Sequence, residues 1–337
     1  MTKTKKKSKM DMQKLQEKDP EFYEFLKEHD KDLLDFESDD DDIGEGIDDE
    51  VSERDDEDEN ADDKGADDGV FKKKKKKVEK PQTQEKKVIT VEMVNNWIEL
   101  VREGTKISAV YSIMRAYRTA CHYGDEGEND SPEKYRIMSG TVFNKILQFV
   151  LSEIDGVLRR LLEMPASGGK KETIVQHMST KKWKTYNHLV KSYLGNSLHV
   201  LNQMTDSEMI AFTLRRLKYS AVFLAAFPTL LRKYMKVSLH FWGTGGGALP
   251  IVSFLFIRDL CVRLGSDCMD ECFKGMYKAY VMNCLFVNAA KLQHIQFLGN
   301  CVVELYGVDL STAYQHAFVF IRQLAMILRD ALSTKTK

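Results

Sequence analysis

From Ile89 to Lys337 the apolar residues return every three or four positions, and little interrupts them. Only four prolines, Pro132, Pro165, Pro228 and Pro250, fall in these 249 residues, and the two-residue alternation of a half-buried strand is missing. Such a chain can form helices but has little from which to build a sheet. Breaks near 124–132, 165–171, 204–206, 243–247, 264–267 and 305–309 leave helices of about 15 to 25 residues. Starts are marked by Ser131 before Pro132, by the capping box Thr205-Asp206-Ser207-Glu208, and by Ser266 directly after the helix-closing Gly265. Short connections make sequential helices antiparallel neighbours, and there are too many for a four-helix bundle. The expected fold class is all-α, an α-solenoid of HEAT or armadillo type over residues 89–337. No exact repeat can be counted in the letters.

Residues 1–88 read differently. They hold 20 Lys and Arg against 30 Asp and Glu, and few large apolar residues follow Phe36, so the segment buries too little surface to offset its ordering entropy. It is expected to be a disordered, charged tail. Glu37 to Asp68 alone carries 19 acids against Arg54 and Lys64, whereas the remaining chain from Ile89 has 30 basic residues against 21 acidic ones. One island interrupts the tail. Between residues 12 and 36 lies an amphipathic segment with Leu15, Phe22, Phe25, Leu26, Leu33, Leu34 and Phe36, of the kind that folds onto a partner. Phe22, Phe25, Leu26, Leu33 and Leu34 are therefore candidate partner-binding residues.

Catalytic chemistry finds no foothold. His177, His188, His199, His240 and His294 are scattered, none set beside a Ser or Cys with a positioned acid. Cys121, Cys261, Cys268, Cys272, Cys284 and Cys301 lie in or beside apolar helical stretches and read as buried thiols of a reduced intracellular compartment. Cys268 and Cys272 could share a helix face, but no second pair completes a metal site. The run Gly243 to Ala248 lacks the Lys-Ser or Lys-Thr of a phosphate loop and follows a helical segment, so it reads as a flexible link. The expectation is a non-enzyme with no metal, cofactor, small-molecule substrate or membrane span.

Charge supplies the binding candidates. Lys170, Lys171, Lys181, Lys182, Lys184 and Lys191 cluster around Trp183, Tyr186 and Tyr193, and Arg215 and Arg216 extend the set. This is either a face that meets RNA phosphates and unpaired bases, or a solvated helix face over core aromatics. The candidate RNA-binding residues are Lys181, Lys182, Lys184, Lys191, Arg215 and Arg216. In the tail, Lys5, Lys6 and Lys7, with Lys72, Lys73, Lys74, Lys75, Lys76 and Lys77, suit nuclear import signals.

Near the end, Tyr314, Ala317, Phe318, Ile321, Leu324, Ala325 and Leu328 share one face of a helix expected to look into the core, with His316 a packing or hydrogen-bonding histidine. The letters of this stretch, ELYGVDLSTAYQHAFVFIRQLAMILRDAL, resemble the nucleolar complex protein 2 family. DPEFYEFLKEHDKDLLDF from Asp19, KSYLGNSLHVLNQMTD from Lys191 and FKGMYKAYVMNC from Phe273 resemble it too, in the family's order. The resemblance supports the solenoid. It implies a scaffold in large (60S) ribosomal subunit biogenesis, in nucleolus and nucleoplasm, forming heterodimers with nucleolar complex proteins 1 and 3 on pre-60S particles with their pre-rRNA. It also implies a helical domain running beyond Lys337, so the chain is expected to be C-terminally truncated. The alternative is a histone-binding chromatin corepressor that uses the acidic tract.

Overall fold

The computed structural model describes residues 87–104, 106–123, 135–285 and 288–334. Residues 1–86 of the expected charged tail, with its amphipathic segment, therefore lie outside the described residues, while its last two, Lys87 and Val88, form a short strand. Eleven α-helices are described: α1 Val91–Glu103, α2 Ile107–Cys121, α3 Gly140–Leu161, α4 Lys171–Met178, α5 Lys181–Gln203, α6 Ser207–Ser220, α7 Pro228–Thr244, α8 Leu249–Leu264, α9 Ser266–Leu285, α10 Leu292–Tyr306 and α11 Leu310–Thr334. The only sheet among the described residues is one parallel pair, β1 Lys87–Val88 with β2 Tyr135–Arg136. The fold is all-α, as the apolar period requires.

Local chemistry sets the helix ends. Thr90 Oγ1 accepts the Met93 amide at the start of α1, and Gly104, with φ of 71°, closes it in the left-handed region that a side chain would resist. Gly265, φ 72°, ends α8 in the same half of the map. The cap of α6 is Asp206, whose Oδ1 accepts the Glu208 amide at 3.0 Å, one residue later than the Thr205 box expected. Ser131 and Pro132 lie outside the described residues, and α3 starts instead at Gly140. Four further breaks, after Glu103, Met178, Ser220 and Leu285, fall outside the expected set. The third is instructive: Ala221–Ala226 is apolar enough to read as helix, yet it winds as a 3-10 turn, and Phe227, excluded from the α region by Pro228, ends it.

The helices pack in two rows. α1, α3, α6 and α8 follow one another in one row, α2, α5, α7, α9 and α11 in the other, and α10 lies beside α9. Apolar faces between the rows form the core, where Trp242, Phe223, Phe256 and Ile154 are fully buried. Three buried phenols tie the second row together. Tyr117 of α2 shares a hydrogen bond with Ser197 of α5 at 2.8 Å, and Tyr234 of α7 donates to the Leu194 carbonyl of α5 at 2.7 Å. The Tyr193 ring of α5 lies between them in sequence and 6.3 Å from that of Tyr117. Burial raises the pKa of all three well above that of an ordinary phenol, so they stay neutral.

A charged group is buried as well. Arg159 of α3 is 1 % exposed, and its guanidinium serves four acceptors: Asp155 Oδ2 at 3.0 Å, the carbonyls of Pro165 and Gly168 at 3.1 and 3.2 Å, and the Tyr219 carbonyl at the end of α6 at 2.8 Å. It also lies over the Phe223 ring, 5.4 Å from its centre. One side chain thus fastens the α3–α4 connection and α6 to α3.

Candidate partner and nucleic-acid interface

The basic stretch falls on α5. Lys181, Lys184 and Lys191, at spacings of three and seven, share a face and are exposed, and Lys182 is exposed beside them. The aromatics do not join them: Trp183 is 5 % exposed and stacks on Phe227, and Tyr193 is wholly buried, leaving only Tyr186 half-buried. The aromatic half of the predicted RNA face is core. Arg215 and Arg216 sit on α6, which packs on α3 and α8 while α5 packs on α2 and α7, so the fold puts the two basic groups in different rows. Lys182 does reach toward the first row, its Nζ 3.8 Å from Glu163 Oε1 in the turn after α3. The candidates Phe22, Phe25, Leu26, Leu33 and Leu34, Lys5, Lys6 and Lys7, and Lys72 to Lys77 lie outside the described residues.

The last helix corrects an expectation. Leu310, Tyr314, Phe318, Ile321, Leu328 and Leu332 of α11 are each 59 to 74 % exposed, so the face expected to look into the core looks outward. The helix packs on α9 through a different face, carrying Ala313, His316, Phe320 and Gln323, rotated by roughly a third of a turn from the apolar stripe at 100° per residue. Polar anchoring selects that face. His316 Nε2 lies 2.8 Å from Asp270 Oδ1, the Oδ2 of the same carboxylate receives Lys274 at 3.1 Å, and the Phe320 ring meets Tyr277 edge-on at 4.4 Å. Partial burial would raise the Asp270 carboxyl, but the bonds from Lys274 and His316 outweigh it and hold it below the usual range. His316 is thus the hydrogen-bonding histidine expected, with a carboxylate from 46 residues away as its partner.

The remaining motifs resolve as packing. All six cysteines are free thiols, five of them buried, and Cys261 and Cys268 approach to 4.0 Å without bonding. No cluster of three or more metal-ligating side chains occurs among the described residues, and no described helix is long and apolar enough to cross a membrane. The glycine run follows helix α7 rather than a strand, and it is fastened rather than loose: the Gly243 carbonyl accepts from Asn283 and His294, each at 3.2 Å.

Among the described residues the protein is an all-helical array that exposes the apolar face of α11 and the lysines of α5. Comparison with known proteins identifies its family. Residues 267–337, spanning nearly all of α9 through α11, match the sequence model of the Noc2p family. The chain is 60 % identical over 332 residues to Nucleolar complex-associated protein 2 of Arabidopsis thaliana, covering 97 % of this chain and 42 % of that protein. It is 36 % identical over 253 residues to Protein REBELOTE of the same plant, and 28 % over 256 residues to Nucleolar complex protein 2 of Drosophila melanogaster, covering 74 % of the chain each time and 42 % and 33 % of the relatives. The chain belongs to the Noc2p family, and it spans less than half the length of these relatives.

Proposed function

We propose that this chain is a non-enzymatic scaffold of a nucleolar assembly, acting in large ribosomal subunit biogenesis and pairing with nucleolar complex proteins 1 and 3 on pre-60S particles in nucleolus and nucleoplasm. The observation that carries the reading is its 60 % identity, over nearly its whole length, to a protein named for a nucleolar complex. The two rows of neighbouring helices support an α-solenoid from residue 89 onward, an architecture whose helical units stack on one another through apolar faces. The α11 stripe, inside the stretch matched by the family, supplies such a face, and its occupant in this reading is an amphipathic helix of another nucleolar complex protein. Phe22, Phe25, Leu26, Leu33 and Leu34 form a second docking segment in the charged tail of residues 1–88. The lysines at 5 to 7 and 72 to 77 direct import, and Lys181, Lys182, Lys184, Lys191, Arg215 and Arg216 meet pre-rRNA.

Purification of the tagged chain from nuclei, with and without RNase, tests this. Other nucleolar complex proteins should be retained after RNase and released when Tyr314, Phe318 and Ile321 are exchanged for Ser. Self-association of the chain through the same face, or retention of partners by the triple variant, would overturn the role of α11. Core histones in place of assembly factors would instead favour the rival reading, a corepressor contact by the acidic tract from Glu37 to Asp68.

A further inference from the structure

Between α3 and α6, with α1 at one end, lies an open cleft of about 520 Å³ lined by Arg102, Glu153, Gly156, Arg160, Arg216 and Tyr219 among others. Its charges do not cancel. Glu153 is taken by Arg102 in a two-pronged bond of 2.9 and 2.6 Å, and Asp155 by Arg159 and by Ser220 at 3.1 Å. Arg160 gives one Nη2 bond, 3.3 Å long, to the Val101 carbonyl. Among the described residues the buried Nε of Arg216 has no hydrogen-bond partner. The guanidinium groups of Arg102, Arg160 and Arg216 therefore border the cleft against the Glu153 carboxylate, which feels both Arg102 and Arg160. Arg160 is exposed and Arg216 half-buried, so both line the cleft with part of their surface open to it.

Two more observations specify the ligand of the cleft. Tyr219 stands 57 % exposed on the wall of the cleft, a flat ring available for stacking. Gly156 lies in the middle of the 22-residue helix α3, with an ordinary helical backbone, and a Cβ built there would meet nothing within 4 Å. Glycine at such a position costs about 1 kcal/mol of helix propensity, and no packing among the described residues requires it. What it does is keep the floor of the cleft low beside the two arginines. We infer that the α3–α6 cleft is a nucleotide-sized subsite for single-stranded RNA, with Arg160 and Arg216 on the phosphate, the base against Tyr219, and the Gly156 backbone as its floor. An acidic peptide would satisfy the arginines but has no use for the ring.

This deepens the proposed contact with RNA and rests on it. The test uses the whole chain, a single-stranded RNA of eight nucleotides and, as a second arm, a poly-glutamate peptide of equal charge. Gly156→Leu fills the floor with a better helix former, so the variant should melt no lower than the parent while its RNA affinity falls about tenfold, the worth of one charge-assisted contact. Arg216→Gln should reduce the salt dependence by about 0.7 of a log-log slope unit, one phosphate of single-stranded RNA. Unchanged RNA affinity in both variants, with binding still abolished on exchanging the α5 lysines for Glu, overturns the cleft and leaves the RNA-binding role standing. Binding of no RNA by the parent chain overturns both. Preference of the parent for the peptide, abolished in Arg216→Gln, overturns the nucleotide assignment.

Discussion

Replacing Arg159 by Met keeps most of the side-chain volume and removes the guanidinium donors that join α3 to the α3–α4 connection and to α6. The Asp155 carboxylate would keep only Ser220, and the carbonyls of Pro165, Gly168 and Tyr219 would lose the guanidinium that serves them together. Gly168 and Tyr219 are exposed residues, so water can take over part of that role, but the site of the guanidinium itself is shut. Breaking a buried pair from one side costs about 3 to 5 kcal/mol. For a domain of this size each kcal/mol lowers the melting temperature by about 2 to 4 °C, so the midpoint should fall by roughly 10 °C in calorimetry. Arg159→Lys keeps the charge beside Asp155 but lacks the planar fork that reaches the carbonyls, and should lose about half as much. Adding Asp155→Ala to the Met variant should cost little more, because the orphaned carboxylate leaves with its partner. A drop under about 3 °C for Arg159→Met, or strict additivity in the double variant, would refute the account of Arg159 as the fastening point.

Exchange of Lys181, Lys184 and Lys191 for Glu should weaken RNA binding and lower the salt slope by about 0.7 for each phosphate that is no longer neutralised; with no aromatic platform among them, substituting Trp183 should act on stability and not on the slope. Thiol titration at pH 8 should find at most one fast-reacting group, Cys284, and six after denaturation, because burial shields the other five and pushes the Cys301 thiol up to about 11. On the acid side, the hydrogen bond from Arg102 holds the Glu153 carboxyl below its ordinary value. Its contribution to stability is therefore present above about pH 4.5 and lost as pH falls through the lower folded value, and Glu153→Gln should flatten that limb of the stability curve.

The helices are legible in the sequence because their signals are local. Gly265, Asp206, Pro228 and Pro250 act within one turn of themselves, and the period of the apolar residues needs no tertiary partner to be read. The α3–α6 cleft is not legible there, since Arg160 and Arg216 are 56 residues apart and its positive excess depends on Glu153 and Asp155 being taken by Arg102 and Arg159. Gly156 does not announce it either, because in the letters Asp155-Gly156 reads as a turn dipeptide inside a long apolar period. The same limit explains Trp183 and Tyr193. They share a helix with the lysines, and only the position of α7 and the Phe227 ring decides that they are core.

Helix α11 carries this reasoning to its sharpest case. Periodicity correctly groups Tyr314, Phe318, Ile321 and Leu328 on one face, but it says nothing about whether the surface that covers that face belongs to the same chain. The face that does pack on α9 is the less apolar of the two, held by the His316–Asp270 bond and by a Phe320 ring set among Tyr277, Tyr280 and Tyr306, with Gln323 buried beside them. Polar groups that need specific partners fix the rotation of the helix about its axis, and the non-directional apolar stripe is left wherever that rotation puts it. The His316 bond can be separated from the stripe. Substituting His316 by Leu should loosen α11 from α9 and raise amide exchange along the helix without altering the stripe's composition, whereas Phe318→Ser should leave exchange in the isolated chain unchanged and act only on what the stripe binds. Equal protection of α11 in the parent and His316→Leu chains would mean that apolar packing alone orients the helix, and the assignment of its outer face to a partner would lose its physical basis.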